Sequence, residues 1–376
     1  MKEKKYMNRQ RHKRIIISGG GTGGHIFPAI SIANALRRID PGIDILFVGA
    51  EGRMEMEKIP AAGYEIIGLP VAGIQRRLSL KNIKVLIKLL KSLRLAKTVI
   101  KDFDPDVVVG VGGYASGPVL RKAGRLGIPT LIQEQNSYAG VTNKLLARRA
   151  SRICVAYDGM SKYFPAEKII KTGNPVRHSF DNLSSLEDEA FSYFKLKKEF
   201  PVILVLGGSL GAGSINKSLL DNIGKLRDSD CQWLWQTGKY YYASITAKIS
   251  DIFTDNISVH DFIDRMDYAY AVADVIVSRA GAGTISELCL VGKPAMLVPS
   301  PNVAEDHQTK NARALADREA AILIPDKKAV KILVTEAISL IADNERRKQL
   351  SGNIIKMADR DADIRIAEEV LKLTEK

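Results

Sequence analysis

Residues able to do chemistry gather first at Gly19-Gly20-Gly21-Thr22-Gly23-Gly24-His25, which runs into Ile26-Phe27-Pro28 at the start of a helical pattern. Five glycines in six residues let backbone N–H groups come close to a phosphate or a sugar at a helix N-terminus. His25 stands at the mouth of that loop, and an imidazole titrating near neutrality suits a general base. An isolated histidine more often has a satisfied structural role, but beside a glycine-rich loop the base reading is favoured. Gly19, Gly21 and Gly24 also fit the dinucleotide fingerprint GxGxxG, with Glu51 after the next apolar run as a ribose partner, so cofactor binding is a second reading.

The design recurs. Val202 to Leu206 lead into Gly207-Gly208-Ser209-Leu210-Gly211-Ala212-Gly213, again offering backbone donors and a hydroxyl. Gly207, Gly211 and Gly213 match the GxxxGxG spacing of short-chain dehydrogenases, yet Tyr240, Tyr241 and Tyr242 have no lysine four positions later to complete that catalytic pair. A third loop, Ser278-Arg279-Ala280-Gly281-Ala282-Gly283-Thr284-Ile285-Ser286-Glu287, places glycines and hydroxyls where a diphosphate binds. Glu287, one turn on, can accept from ribose hydroxyls. Thr284 and Glu287 also have the spacing of a capping box, and the two roles are compatible.

Loops of this kind need strands before them and helices after. Apolar runs at Ile15 to Ser18, Ile45 to Val48, Val107 to Gly110, Thr130 to Gln133, Val202 to Leu206, Trp233 to Gln236, Val275 to Ser278 and Ala295 to Pro299 alternate with longer helical patterns. That alternation predicts parallel sheets with crossover helices, twice over, with ligands beyond the carboxyl ends of the strands. A length of 376 residues against roughly 100 to 200 per domain agrees with two domains. The break is expected between Thr172 and Glu199, where Gly173-Asn174-Pro175 precedes a polar stretch. The expected division is a disordered basic tail over 1–14, a first domain over 15–176, a second over 177–355, and a C-terminal helix over 356–376 that packs back on the first.

Hydrophobic residues at 45% and charged ones at 26% describe a globular chain. Cys154, Cys231 and Cys289 show neither disulfide-framework nor zinc-ligand spacing, which suits a reducing compartment. The short apolar stretch from Ile15 to Ile17 runs into glycines and makes no signal-peptide core, and no run reaches the roughly 18 apolar residues of a spanning helix, so membrane contact is expected to be peripheral.

The net charge of +14 is uneven, since residues 1–150 hold 26 Lys and Arg against 11 Asp and Glu while the remainder is near balance. Residues 66–101 carry nine Lys or Arg and no acid. Lys81, Lys84, Lys88, Lys91, Arg94, Lys97 and Lys101 recur at helical spacing, with Leu86, Leu89, Leu90, Leu93, Val99 and Ile100 expected on the opposite, buried half. A helix packed on its own sheet with a solvated lysine face accounts for much of this pattern. Ile87 and Leu95 fall among the cations, however, which with Ile74 and Leu78 points to a surface that rests on anionic lipid, using Lys84, Lys88 and Lys91. Nucleic acid is not expected as a partner, because the basic stretch has no aromatic side chain to stack on bases.

Taken in order, GGGTGGH (19–25), QEQN (133–136), GNPVR (173–177), GGSLGAG (207–213), FIDRM (262–266), SRAGAGTISE (278–287) and DHQTKNA (306–312) closely resemble the MurG family, the family 28 N-acetylglucosaminyltransferases of peptidoglycan synthesis. The resemblance runs from about Ile15 to the C-terminus. It implies an α/β GT-B fold, two Rossmann-like domains whose parallel sheets face across a deep cleft. It also implies inverting transfer of GlcNAc from UDP-GlcNAc to the C4 hydroxyl of undecaprenyl-pyrophosphoryl-MurNAc-pentapeptide. By position, Glu287 is then expected to hold the ribose, Ala282, Gly283, Thr284, Ile285, Ser286 and Ser209 the diphosphate, and Ile263 the uracil. Gln308 and Asn311 are expected to meet the GlcNAc hydroxyls, with Thr22, Gly23, Gly24, Asn136 and Arg177 completing the donor site. Gly20, Gly21, Gly112, Gly113 and Tyr114 are assigned to the acceptor pyrophosphate. The family commonly reads HEQN where this chain has Gln133-Glu134-Gln135-Asn136, so a histidine role there is lost.

A sugar hydroxyl is a poor nucleophile and needs a base, His25 first and Glu134 second. The leaving UDP would be stabilised by amides of the 281–286 loop, the helix dipole and Arg177, so neither a metal nor a cofactor is expected. Asp102-Phe103-Asp104 has the look of a metal-binding pair, but its place between a helix and a strand favours a turn or cap. The expected setting is the cytoplasmic face of the inner membrane, with other cell-wall synthesis proteins as further partners. A UDP-sugar epimerase or hydrolase on the same fold is the alternative. A nicotinamide-dependent oxidoreductase and a binding module without turnover are more distant ones.

Overall fold

The computed structural model describes residues 12–71, 81–176, 180, 182–208, 210–252, 255–303 and 306–375, without the side chains of 81–84 and 86. The chain divides into two compact units, one reaching Pro175 and resuming at Asp361, the other spanning Val176–Arg360.

The first unit is built on β1 (Arg14–Ser18), β2 (Asp44–Ala50), β3 (Glu65–Leu69), β4 (Val107–Gly110), β5 (Thr130–Glu134), β6 (Arg152–Val155) and β7 (Ile169–Lys171). They pair in parallel in the order β3-β2-β1-β4-β5-β6-β7. Strand side chains alternate between the two faces, and both faces are covered. Ile15 and Ile17 join one apolar cluster, with Ile32 and Leu36 of the helix Gly23–Ile39, while Ile16 joins another with Val99 and Ile100. Each fully buried isoleucine contributes about 2 kcal/mol. The returning helix Ala362–Lys372 adds Ile366, Ala367 and Val370 to the first cluster, and Asp363 takes Arg38 at 2.6 Å. Arg365 donates through Nη2 to the Thr172 carbonyl at 2.7 Å.

The second unit repeats the plan with β8 (Val202–Leu206), β9 (Gln232–Gln236), β10 (Ile257–His260), β11 (Val275–Ser278), β12 (Ala295–Leu297) and β13 (Ile322–Leu323), parallel in the order β10-β9-β8-β11-β12-β13. Chain direction across the sheet reverses between β1 and β4 in one unit and between β8 and β11 in the other. These are the switch points where open sheets leave a crevice for ligands. All eight expected strands are present, though β12 stops at Leu297. β3, β6, β7, β10 and β13 were not anticipated. Asp104, at φ 48°, closes the helix Lys81–Phe103 by donating its amide to the Ile100 carbonyl at 2.9 Å, so that acidic pair ends in a helix-terminating turn.

Candidate active site

At the first unit's switch point the loops after β1, β2, β4 and β5 are tied together. Gly113, at φ 84°, lies so close to the Gly20 backbone that a Cβ there would collide with it. Gln135 donates to the Val111 carbonyl at 2.8 Å, joining the β5 loop to the β4 loop. Glu55 opens the helix Glu55–Ala61 after β2 and accepts from Gly21 N at 3.0 Å and Ala50 N at 3.0 Å.

His25 lies in the first turn of the helix Gly23–Ile39, whose N-cap Thr22 makes no side-chain cap among the described residues. Its ring is packed against the β4 loop: a Cβ added to Gly112 would stand 2.9 Å from Nε2. Nδ1 is buried without a partner at hydrogen-bonding geometry among the described residues. Burial lowers its pKa from the ordinary 6.5, opposed by the Glu134 carboxylate, the Gly20 carbonyl and the Glu55 carboxylate. A neutral imidazole at physiological pH can accept a proton.

Glu134, the other expected base, is 2% exposed and has both oxygens engaged. Oε1 accepts from Asn136 N at 3.1 Å and Asn136 Nδ2 at 3.2 Å, while Oε2 accepts from Gly140 N and Asn143 Nδ2, each at 2.9 Å. Such a carboxylate organises a loop, and His25 is the better placed of the two to take a proton. Gln133 sits in a buried amide network with Gln135 and Asn174, donating to Asn174 Oδ1 at 3.3 Å. It therefore fills with hydrogen bonds a place the family commonly gives to histidine.

One expectation needs correction. The Gly21 amide faces Glu55, and a carboxylate at 3 Å repels an anion, so Gly21 does not offer its N–H to a pyrophosphate. Gly112 and Gly113, both at positive φ, and Tyr114, 60% exposed, remain as the candidate anion-facing loop.

In the second unit, Gly281 caps the helix Ala282–Val291 with extended backbone and no side-chain cap is made among the described residues, so the Thr284–Glu287 capping box does not form. Its first amides, from Ala282 to Thr284, point out of a helix N-terminus as a diphosphate requires. Glu287 accepts from the phenol of buried Tyr270 at 2.9 Å, and Ser286 Oγ turns back to the Ala282 carbonyl at 3.1 Å. Arg279 anchors this loop: it donates to Asp326 at 2.5 Å, to Ser214 Oγ at 3.0 Å, and to the Val298 and Pro299 carbonyls. Ile263 N donates to Gln236 Oε1 at 2.9 Å, and Gln236 Nε2 donates to the Gly208 carbonyl at 3.2 Å, linking the Ile263 segment to the β8 loop. Gln308 accepts from Ser300 N at 2.8 Å. Asn311 is buried, donates to the Ala280 carbonyl at 3.1 Å and leaves Oδ1 unpartnered among the described residues. Gln308 and Asn311 thus brace the loops beside the helix N-terminus. Arg177, Ser209, Ile74 and Leu78 lie outside the described residues, as does the Lys84 side chain.

Along the helix Lys81–Phe103 the lysines Lys88 and Lys91 are exposed as expected, but the apolar faces differ. Leu90, expected inside, is 52% exposed beside Ile87 at 49%, whereas Leu95 packs on the core with Val99 and Ile100. The exposed apolar pair among the cations is therefore Ile87 and Leu90. No described helix is long and apolar enough to cross a membrane, and among the described residues no group of His, Cys, Asp or Glu is placed to hold a metal.

Comparison with known proteins matches residues 15–155 to the glycosyltransferase family 28 N-terminal domain and residues 202–366 to the family's C-terminal domain. The chain is 57% identical over 366 residues to a Parabacteroides distasonis protein named UDP-N-acetylglucosamine--N-acetylmuramyl-(pentapeptide) pyrophosphoryl-undecaprenol N-acetylglucosamine transferase, covering 97% of this chain and 100% of that one. A Bacteroides thetaiotaomicron protein of the same name is 56% identical, with 97% and 99% covered. The crystal structure of Acinetobacter baumannii MurG superposes with a TM-score of 0.71 at 29% identity, covering 96% of this chain and 99% of that one. A UDP-GlcNAc 2-epimerase from Neisseria meningitidis, at 15% identity and TM-score 0.69 over 96% and 100%, shares the fold alone. Two parallel-sheet domains, each with a glycine loop at its switch point, and close relatives along nearly the whole length place this chain in glycosyltransferase family 28, with the GT-B fold.

Proposed function

We propose that the chain transfers N-acetylglucosamine from UDP-GlcNAc to the C4 hydroxyl of undecaprenyl-pyrophosphoryl-MurNAc-pentapeptide, the lipid I to lipid II step of peptidoglycan synthesis, with inversion at the anomeric carbon. The observation that carries this reading is identity above half, over nearly full length, to N-acetylglucosamine transferases named for that donor and acceptor.

His25 takes the proton of the acceptor hydroxyl as it attacks, a role suited to an imidazole that burial keeps neutral. UDP departs from the opposite face. Its growing charge meets the first-turn amides of the helix Ala282–Val291, which are already oriented and need no reorganisation as charge develops. Glu287, aligned by Tyr270, holds the ribose, while Ile263 meets the uracil. Gln308 and Asn311 shape the sugar pocket, and Gly112 to Tyr114 receive the acceptor pyrophosphate. Thr22, Gly23, Gly24, Asn136, Arg177 and Ser209 complete the donor contacts. Lys88, Lys91, Ile87 and Leu90 bring the enzyme to the anionic inner leaflet that holds the acceptor.

Incubating the protein with radiolabelled UDP-GlcNAc and a short-chain polyprenyl-pyrophosphoryl muramyl-pentapeptide tests the reading. Label moving into the lipid product is the expected result. Free GlcNAc or its epimer formed without acceptor, and no lipid product, would replace it with the hydrolase or epimerase reading.

A further inference from the structure

Glu55 is 1% exposed, a costly place for a carboxylate unless hydrogen bonds replace water. Among the described residues those bonds come from the main chain: Gly21 N lies 3.1 and 3.0 Å from its two oxygens and Ala50 N lies 3.0 Å from Oε1. Two glycines make room for it. A Cβ on Gly49 would stand 2.7 Å from Glu55 Cγ, and one on Gly20 would overlap the carboxylate itself. The glycine loop is thus shaped around an internal anion that belongs to the protein, and the chain emerging from that loop enters the helix that carries His25.

We propose that Glu55 is a positioning residue for the base: it holds the Gly20–Gly21 segment, and with it the entry to the helix that carries His25, in the form that seats the imidazole. The inference rests on the reading of His25 as the base. The charged groups that act on the imidazole are Glu134 from the end of β5 and Glu55 from the helix after β2, with the Gly20 carbonyl from the loop. Both carboxylates raise the imidazole pKa against the larger effect of burial. Removing the Glu55 charge therefore lowers that pKa further, widening the pH range in which the base is neutral but making it a weaker acceptor.

Glu55→Gln keeps an acceptor oxygen for Gly21 and Ala50 while removing the charge. Its expected signature is a roughly tenfold lower kcat, from weaker general-base catalysis and a less well seated loop. The acid limb of the kcat profile is expected to move to lower pH. Glu55→Asp, which keeps the charge but shortens the reach, should leave the acid limb where it was; a shift of equal size in both variants would come from disturbed packing and count against the proposal. NMR titration of His25 in the unliganded protein reads the same effect without turnover, with its midpoint falling in Glu55→Gln. An unmoved midpoint and acid limb in the Gln variant, whatever its kcat, would overturn the proposal by reducing Glu55 to a structural part. His25→Ala measured in parallel keeps the two readings apart: undiminished turnover there removes His25 as the base, and Glu55 as its positioning residue with it.

Discussion

The phenolic oxygen of Tyr270 donates to Oε2 of Glu287 across 2.9 Å, joining a fully buried ring to the carboxylate assigned to the donor ribose. Phe180 packs edge-on against that ring with centroids 5.1 Å apart, so a phenylalanine at 270 keeps the packing and loses only the donor. Tyr270→Phe should weaken UDP-GlcNAc binding about tenfold, the ~1.4 kcal/mol expected of a hydrogen bond to a charged acceptor, with kcat at saturation little changed. Calorimetric titration with UDP checks it; native affinity would show that Glu287 needs no such alignment.

Arg279 and Asp326, at 17% and 21% side-chain exposure, form an ion pair at 2.5 Å that also takes in Ser214. Asp326→Ala leaves a mostly buried guanidinium without its carboxylate, and about 2–3 kcal/mol of stability should be lost. Urea unfolding of the second unit, followed by fluorescence of the buried Trp233 and Trp235, measures the change.

Gly112 lies at φ 96° against the His25 ring. Gly112→Ala strains the loop and pushes the imidazole aside, so kcat should fall by roughly a hundredfold, as small displacements of reacting groups do. UDP affinity should hold, because the groups proposed for its ribose and diphosphate, Glu287 and the first amides of the helix Ala282–Val291, belong to the second unit. Equal losses in both quantities would mean that the substitution had disturbed the whole fold.

Much of this was legible in the sequence because fully buried parallel strands are continuous apolar runs, as in Val202 to Leu206, and the glycine loops follow them directly. Three of the missed strands carry weaker signals. β3 and β10 are sheet edges and only partly buried, and β13 has two residues. Glu55 was missed because a glutamate in a charged, amphipathic stretch looks solvated; only its glycine neighbours at 20 and 49, far apart in sequence, show that space was left for it. Tyr270 and Asp326 were hidden for the same reason, since their partners Glu287 and Arg279 come close only through the sheet. Leu90 and Leu95 exchanged expected roles because the register of a helix on its sheet is set by tertiary packing, which spacing alone leaves open by one position.

Ile87 and Leu90 give membrane docking a sharper test than charge alone. Replacing both with Glu should reduce co-sedimentation with vesicles containing anionic phospholipid by about tenfold or more, since apolar insertion and headgroup attraction are lost together. Transfer to a water-soluble acceptor should persist. Undiminished vesicle binding would move the docking surface elsewhere.

The central claim is a division of labour, with the proton acceptor on the first unit and the carboxylate that holds the donor ribose on the second. Steady-state transfer kinetics of His25→Ala and Glu287→Ala, beside the native chain, test it most directly. The account predicts that His25→Ala loses kcat by at least about a hundredfold at unchanged donor KM, as removal of a general base does, while Glu287→Ala raises donor KM by about tenfold or more. Native kcat in His25→Ala, or an unchanged donor KM in Glu287→Ala, would contradict it.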